Sequence, residues 1–228
     1  MALDFGKLKT LILAYVKRSE ESLIKDGVNT LEVAINNAQL AIQRDHDFNW
    51  QRAQIYVDCS PIGNILTGAK KAVDDSVVVV KRVVKAYTYD SGFGQLVPIE
   101  FRSKDTHAHD IYVQTRLGAI PVEATGEAQK VVQQGQDVWL YPMPEGGSTR
   151  VYFDAVIYLD ELVEDTDTNF LLVYARDFLM YHAIVELNFF LKDDERYQVS
   201  QTLLTRARKS LLDWDNTLVT FTDAELDL

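Results

Sequence analysis

The sequence predicts an α+β protein: a discontinuous helical bundle domain, a small β-sandwich or β-barrel module inserted in it, and an extended acidic C-terminal tail. Three observations predict this. All five prolines and nine of the eleven glycines fall between Pro61 and Gly147, so residues that break regular structure crowd the middle of the chain. The flanks repeat apolar residues at helical spacing, whereas the middle carries short β-branched runs. Beyond Trp214 there is no lysine or arginine, while acidic residues continue. The resulting division is residues 1–51 plus 161–214 for the helical domain, 52–160 for the β module, and 215–228 for the tail.

The first helix is expected from about Asp4 to Glu21, with Leu8, Leu11, Ile12, Tyr15 and Val16 on one side. Asp26-Gly27 marks a turn. Asn29 can cap a second helix, and Glu32 stands where it would complete a capping box. Leu31, Ala34, Ile35, Ala38, Ala41 and Ile42 supply that helix's apolar stripe, which runs out near Arg44–Trp50. Phe48 and Trp50 are expected to be buried where helix hands over to strand.

In the middle, six strands are expected: Ile55–Asp58, Ser76–Tyr89, Leu96–Phe101, Asp110–Leu117, Val138–Tyr141 and Arg150–Leu159, with Gly146-Gly147 as a hairpin turn. A long helix capped by Thr166 or Thr168 then carries Phe170, Leu171, Tyr174, Phe178, Tyr181, Ile184, Val185 and Phe189 to about Leu191. The turn Lys192-Asp193-Asp194-Glu195 starts the last helix, expected to end near Trp214 with Leu203, Leu204, Ala207 and Leu211 inward.

Composition narrows the function. A net charge of −11 argues against tight, sequence-independent binding of duplex DNA, which requires a cationic surface. An acidic wall would instead let a duplex slide past. Cys59 is the sole cysteine, so no disulfide framework or paired-cysteine metal spacing exists. Lys7, Lys9 and Lys17 interrupt the N-terminal apolar stretch, which reads as an amphipathic helix and not as a signal peptide; the expectation is a product with no membrane segment.

Catalytic motifs of the nucleophile-elbow, zincin, P-loop and dinucleotide-binding types do not occur. His107 and His109 would share a face of an extended segment, as two metal ligands must, but an exposed polar loop explains them more simply. Asp160, Glu161, Glu164, Asp165 and Asp167 could include a carboxylate pair for a cell-wall hydrolase, yet an acidic linker leading into a helix is the commoner arrangement. Gly92 and Gly94 form a turn. Tyr87 and Tyr89 end a strand containing Lys81, Arg82 and Lys85, a pattern shared by single-strand stacking platforms and by ordinary core aromatics. No catalytic, cofactor or metal site is therefore expected, and the chain is not expected to be an enzyme.

Two segments carry a family pattern: Ala38–Trp50, with Arg44-Asp45 and Trp50 at its helix end; and Val138–Phe153, with Pro142-Met143-Pro144 before Gly146-Gly147, followed by Asp167-Thr168-Asn169-Phe170-Leu171-Leu172 at a helix start and closing with His182–Arg196, where Leu191-Lys192-Asp193-Asp194-Glu195-Arg196 makes a helix turn. Together they resemble the head–tail adaptor proteins of podovirus-like tailed bacteriophages, over about half the chain. The resemblance implies a structural virion protein at the neck, forming a ring beneath the portal, twelvefold in that family. Such a ring extends the DNA channel and docks downstream tail or nozzle proteins. Another phage structural role, tail-tube closure or a minor capsid component, is the alternative. Leu218, Val219, Phe221 and Leu226 would be the portal-docking anchors of an acidic tail that orders on binding. Asp193, Asp194 and Glu195 on one subunit, with Arg206 and Lys209 on the next, would form the lateral ring contact.

Overall fold

A computed structural model describes residues 3–59, 64–65, 69–90, 94–103, 130–134, 137–141, 149–191 and 194–224. The molecule is mixed α+β and divides into two compact units, Met1–Trp50 with Leu159–Leu228, and Gln51–Tyr158.

The first unit is helical. Helix α1 (Phe5–Val16) starts where the Asp4 carboxylate accepts from the Lys7 backbone N–H at 2.9 Å. It ends at Lys17, which takes the left-handed conformation, φ 53°, and so stops short of the expected Glu21. One 3-10 turn (Glu20–Leu23) leads into a two-stranded hairpin, β1 (Ile24–Lys25) and β2 (Val28–Asn29). Its turn residues Asp26 and Gly27 both have positive φ, the backbone hand that matches strand twist. Helix α2 (Thr30–Asp45) is capped by Asn29, whose side chain accepts from the Leu31 N–H. Glu32 closes no capping box; its carboxylate reaches Lys9 of α1 instead.

The single helix expected from Thr166 or Thr168 to Leu191 is two. Asn169, not a threonine, caps α3 (Phe170–Tyr174), accepting from Leu172 N–H at 3.1 Å. Ala175 departs from helical geometry (φ −131°, ψ 31°), and α4 (Arg176–Leu191) restarts after it. The last helix, α5 (Asp194–Ala224), continues ten residues past the expected stop at Trp214. No glycine or proline lies in that stretch to end it. At about 1.5 Å per residue its 31 residues span roughly 46 Å. Phe5, Leu8 and Ile12 of α1, Leu31, Ile35 and Ile42 of α2, and Leu179, Ile184 and Leu187 of α4 form the core, with Leu171, Leu172 and Phe48. Helix α2 packs on α4, and α4 on α5.

The same unit is held by polar groups that periodicity does not reveal. Gln39 and Gln43 are buried among the apolar residues of α2. With Asn36 they form a ladder of amides along the helix that bonds the extended segment Leu159–Leu162. Asn36 Nδ2 donates to the Leu162 carbonyl at 2.9 Å and its Oδ1 accepts from the Leu162 N–H at 3.0 Å. Gln39 donates to the Asp160 carbonyl at 2.7 Å, and Gln43 Oε1 accepts from the Leu159 N–H.

The second unit is built on strands β3 (Arg52–Cys59), β4 (Asn64–Ile65), β5 (Lys70–Lys71), β6 (Val80–Asp90), β7 (Gln95–Ser103), β8 (Lys130–Gln134), β9 (Asp137–Tyr141) and β10 (Thr149–Ile157). Their order is β4-β9-β8-β7-β6-β10-β3-β5. Neighbours are antiparallel except β7 and β8, which run parallel. Val57, Val83, Val131, Val151, Phe153 and Ala155 lie in its core. The β-branched run expected to be one strand from Ser76 enters the sheet only at Val80; Val77 makes an isolated bridge to Lys70. The short strands β4, β5 and β8 were not expected. The expected strand Asp110–Leu117, the Gly146-Gly147 turn and Gly92 lie outside the described residues.

Candidate functional site

A concavity of the helical unit, about 880 Å³, is an open groove between the α3–α4 corner and α5. Its geometry follows from the break at Ala175. Restarting the helix there turns Tyr174 out of the apolar stripe to which the spacing assigned it, leaving it 66% exposed. Phe178 and Leu211 remain buried and form the groove's floor. Tyr174 and Trp214 stand at one end, and Arg176 and Arg206 line the polar margin.

A run of rings makes that end rigid. Phe48 stacks on Trp50 with centroids 5.2 Å apart, and Trp50 on Phe170 at 4.6 Å. Phe170 meets Tyr174 at 4.7 Å and Trp214 at 5.7 Å, and Tyr174 lies 6.1 Å from Trp214. Each such pair contributes about 0.5–1.5 kcal/mol beyond simple burial. Phe48 is fully buried and Trp50 half-buried in this run.

Helix α5 is fixed beside the end of α2 at two points. Arg208 binds Asp45 Oδ2 through Nε at 2.8 Å and Nη2 at 2.7 Å. Immediately after Trp214, Asp215 is buried and accepts from the Asn49 backbone N–H at 2.9 Å. Asn49 Nδ2 also donates to the Asp215 carbonyl at 3.1 Å. A carboxylate assigned to a solvated tail is therefore a buried anchor, because it satisfies a backbone donor that the 3-10 turn Asn49–Gln51 leaves open.

Of the residues expected at the lateral contact, Arg206 and Lys209 are exposed on α5 and have no ion-pair partner among the described residues. Asp193 lies outside the described residues. Asp194 and Glu195 open α5. Of the expected docking anchors, Leu218, Val219 and Phe221 ride on the last turns of α5, and Leu226 lies outside the described residues.

Asp165, Asp167 and Tyr87 have structural employment. Asp165 pairs with Lys9 at 2.6 Å. Asp167 accepts from the Val163 and Glu164 backbone N–H groups, each at 2.8 Å, and these bonds hold its carboxyl below the usual range. Tyr87 donates to Asp154 at 2.7 Å, which pushes the phenol up to about 12, with burial adding to the effect. Tyr89 is exposed, but the register of β6 against β10 slips at Asp154/Ala155, so Lys81, Arg82, Lys85 and the tyrosines do not share one strictly alternating face. His182, on α4, is pushed down by burial, with Glu186 at 3.9 Å only partly opposing this. His107 and His109 lie outside the described residues. Among the described residues no group of three or more His, Cys, Asp or Glu is placed to hold a metal ion, and no helix is long and apolar enough to cross a membrane.

Compared with known proteins, the chain matches no family model and no curated protein.

Proposed function

We propose that this chain is a structural virion protein, the head-to-tail adaptor of a tailed phage, assembling as a ring beneath the portal at the neck. It extends the DNA channel, which DNA crosses without specific binding, and presents a docking surface to downstream tail or nozzle proteins. In this reading the helical unit is the ring-forming bundle and the β unit its inserted sandwich or barrel.

The observation that carries the reading is where the family-like segments lie. Gln39 and Trp50 of the first segment meet Asn169 and Phe170 of the second, which is more than a hundred residues further along the chain. The Asn169 amide donates to Gln39 Oε1 at 2.6 Å, and the two rings stack. Residues quoted for the resemblance thus act as one structural device. The long helix α5, with exposed cationic groups on one side and an acidic segment beyond it, offers the two unlike patches that a cyclic ring requires.

Negative-stain imaging and mass photometry of the protein mixed with its cognate portal test this. Rings capping the portal's narrow end are expected. A protein that stays monomeric and unbound at saturating portal refutes the adaptor.

A further inference from the structure

We infer that the groove between α4 and α5 receives the C-terminal segment of a second copy of this chain, residues 218–228. The inference rests on the ring reading only in requiring head-to-tail association. Sequence alone directed this segment to the portal; the groove's chemistry directs it to the neighbouring subunit.

The groove selects for an occupant that is apolar and negatively charged. Its floor is Phe178 and Leu211, and its end wall is the stacked pair Tyr174 and Trp214. Arg206 lies exposed at its margin with no ion-pair partner among the described residues, and Arg176 has only the exposed Asp177 at 3.4 Å. An exposed guanidinium beside an aromatic wall suits a carboxylate flanked by apolar side chains. The segment 218–228 has that composition: it holds Leu218, Val219, Phe221 and Leu226 together with Asp223, Glu225 and Asp227, and no basic residue.

A chain cannot fill its own groove with these anchors. Trp214 marks the groove's end, and α5 runs on unbroken to Ala224. At about 1.5 Å per residue, Leu218 lies roughly 6 Å and Phe221 roughly 10 Å beyond Trp214 along the axis. They can turn back only by unwinding a helix whose exit Asp215 and Asn49 hold in place. The occupant therefore comes from another copy. Because groove and segment are different patches, the contact is heterologous, and it closes into a ring or extends into a chain.

The test uses full-length protein in sedimentation velocity, with a groove variant, Tyr174→Ala with Arg206→Glu, and a segment variant, Leu218→Asp with Phe221→Asp. Circular dichroism verifies that both retain wild-type helix content; if the segment variant does not, a synthetic peptide of residues 215–228 replaces it as the ligand of wild-type and groove-variant protein. Each variant alone is expected to self-associate at least about tenfold more weakly than wild type, a loss of about 1.4 kcal/mol. An equimolar mixture is expected to form one-to-one dimers that do not grow, since only one intact groove and one intact segment remain per pair. Variants that self-associate like wild type, a mixture that stays monomeric, or a peptide that fails to bind wild type each overturns the inference. Rings on the portal formed by both variants overturn it while leaving the adaptor in place. Mixed dimers without portal rings leave the groove contact in place and remove the adaptor.

Discussion

Replacing Lys9 with methionine should destabilise the helical unit by about 2 kcal/mol, and the loss should shrink in salt. The ammonium, one-tenth exposed, lies 2.6 Å from Asp165 Oδ1, 2.9 Å from Glu32 Oε1 and 3.8 Å from Glu20 Oε1. The three carboxylates are between about a third and 70% exposed, so water screens each pair, and fully exposed pairs contribute only about 0–1 kcal/mol. Charge-assisted hydrogen bonds to a shielded group reach about 1.5–3 kcal/mol, which sets the upper side. Methionine keeps most of the apolar stem, so the substitution removes charge more than packing. It also leaves three carboxylates facing one another. Burial alone would push the Lys9 amine down, but its hydrogen bonds to Asp165 and Glu32 outweigh that and raise it above the ordinary 10.5. A raised amine contributes its full stabilisation below the unfolded value near 10.5, and loses it only as pH climbs past the folded one. Urea unfolding followed by tryptophan fluorescence, at low salt and at about 1 M salt where the screening length is near 3 Å, measures both effects. A loss under about 0.5 kcal/mol, or one undiminished by salt, refutes the reasoning.

Three further outcomes follow from geometry. Asn36→Ala removes both bonds to Leu162 and should cost about 1–3 kcal/mol in urea unfolding, with Asn36→Asp intermediate because it keeps the acceptor; equal losses would mean the acceptor contributes nothing. Trp50→Ala should cost about 3 kcal/mol, since it opens the stack between Phe48 and Phe170, and a cost below about 1 kcal/mol would place the ring at the surface. Tyr87→Phe should remove a tyrosine titrating near 12 from the near-ultraviolet tyrosinate curve. Because the raised phenol is neutral in the folded state until about 12, its hydrogen bond to Asp154 stabilises below pH 10 and fades as pH rises toward that value; an unchanged titration curve would assign the late phenol to another tyrosine.

What was legible in the sequence depended on periodicity. Leu8 and Ile12, or Leu31, Ala34, Ile35, Ala38 and Ile42, announce buried helix faces, and the structure buries each of them. Asn29 was readable as a cap because the side chain needed is local. Gln39 and Gln43 were not readable, since a buried amide looks like any surface amide until its partner, some 120 residues away, is known. Strand β8, Lys130–Gln134, offers only two consecutive valines and pairs in parallel with β7, so neither alternation nor a hairpin turn marks it. The break at Ala175 has no glycine or proline to signal it, and missing it hid the groove, because Tyr174 fits the stripe of an unbroken helix. Arg206 and Lys209 could be found as a cationic cluster, but not the aromatic wall beside them.

The family-like residues are spent inside the subunit. Gln39 bonds Asn169 and the Asp160 carbonyl, Asp45 holds Arg208, Asn49 holds Asp215, and Trp50 lies between Phe48 and Phe170. Such contacts constrain which helices pack together and at what register, so they carry shape and no recognition of a partner. Recognition must then reside in what those contacts leave exposed. On the helical unit that is Tyr174 at the head of the groove, with Arg206 and Lys209 on α5. Under the proposed adaptor role, the buried network would fix the angle between groove and helix end, and that angle, not the strength of any single contact, would decide whether successive copies close into a ring.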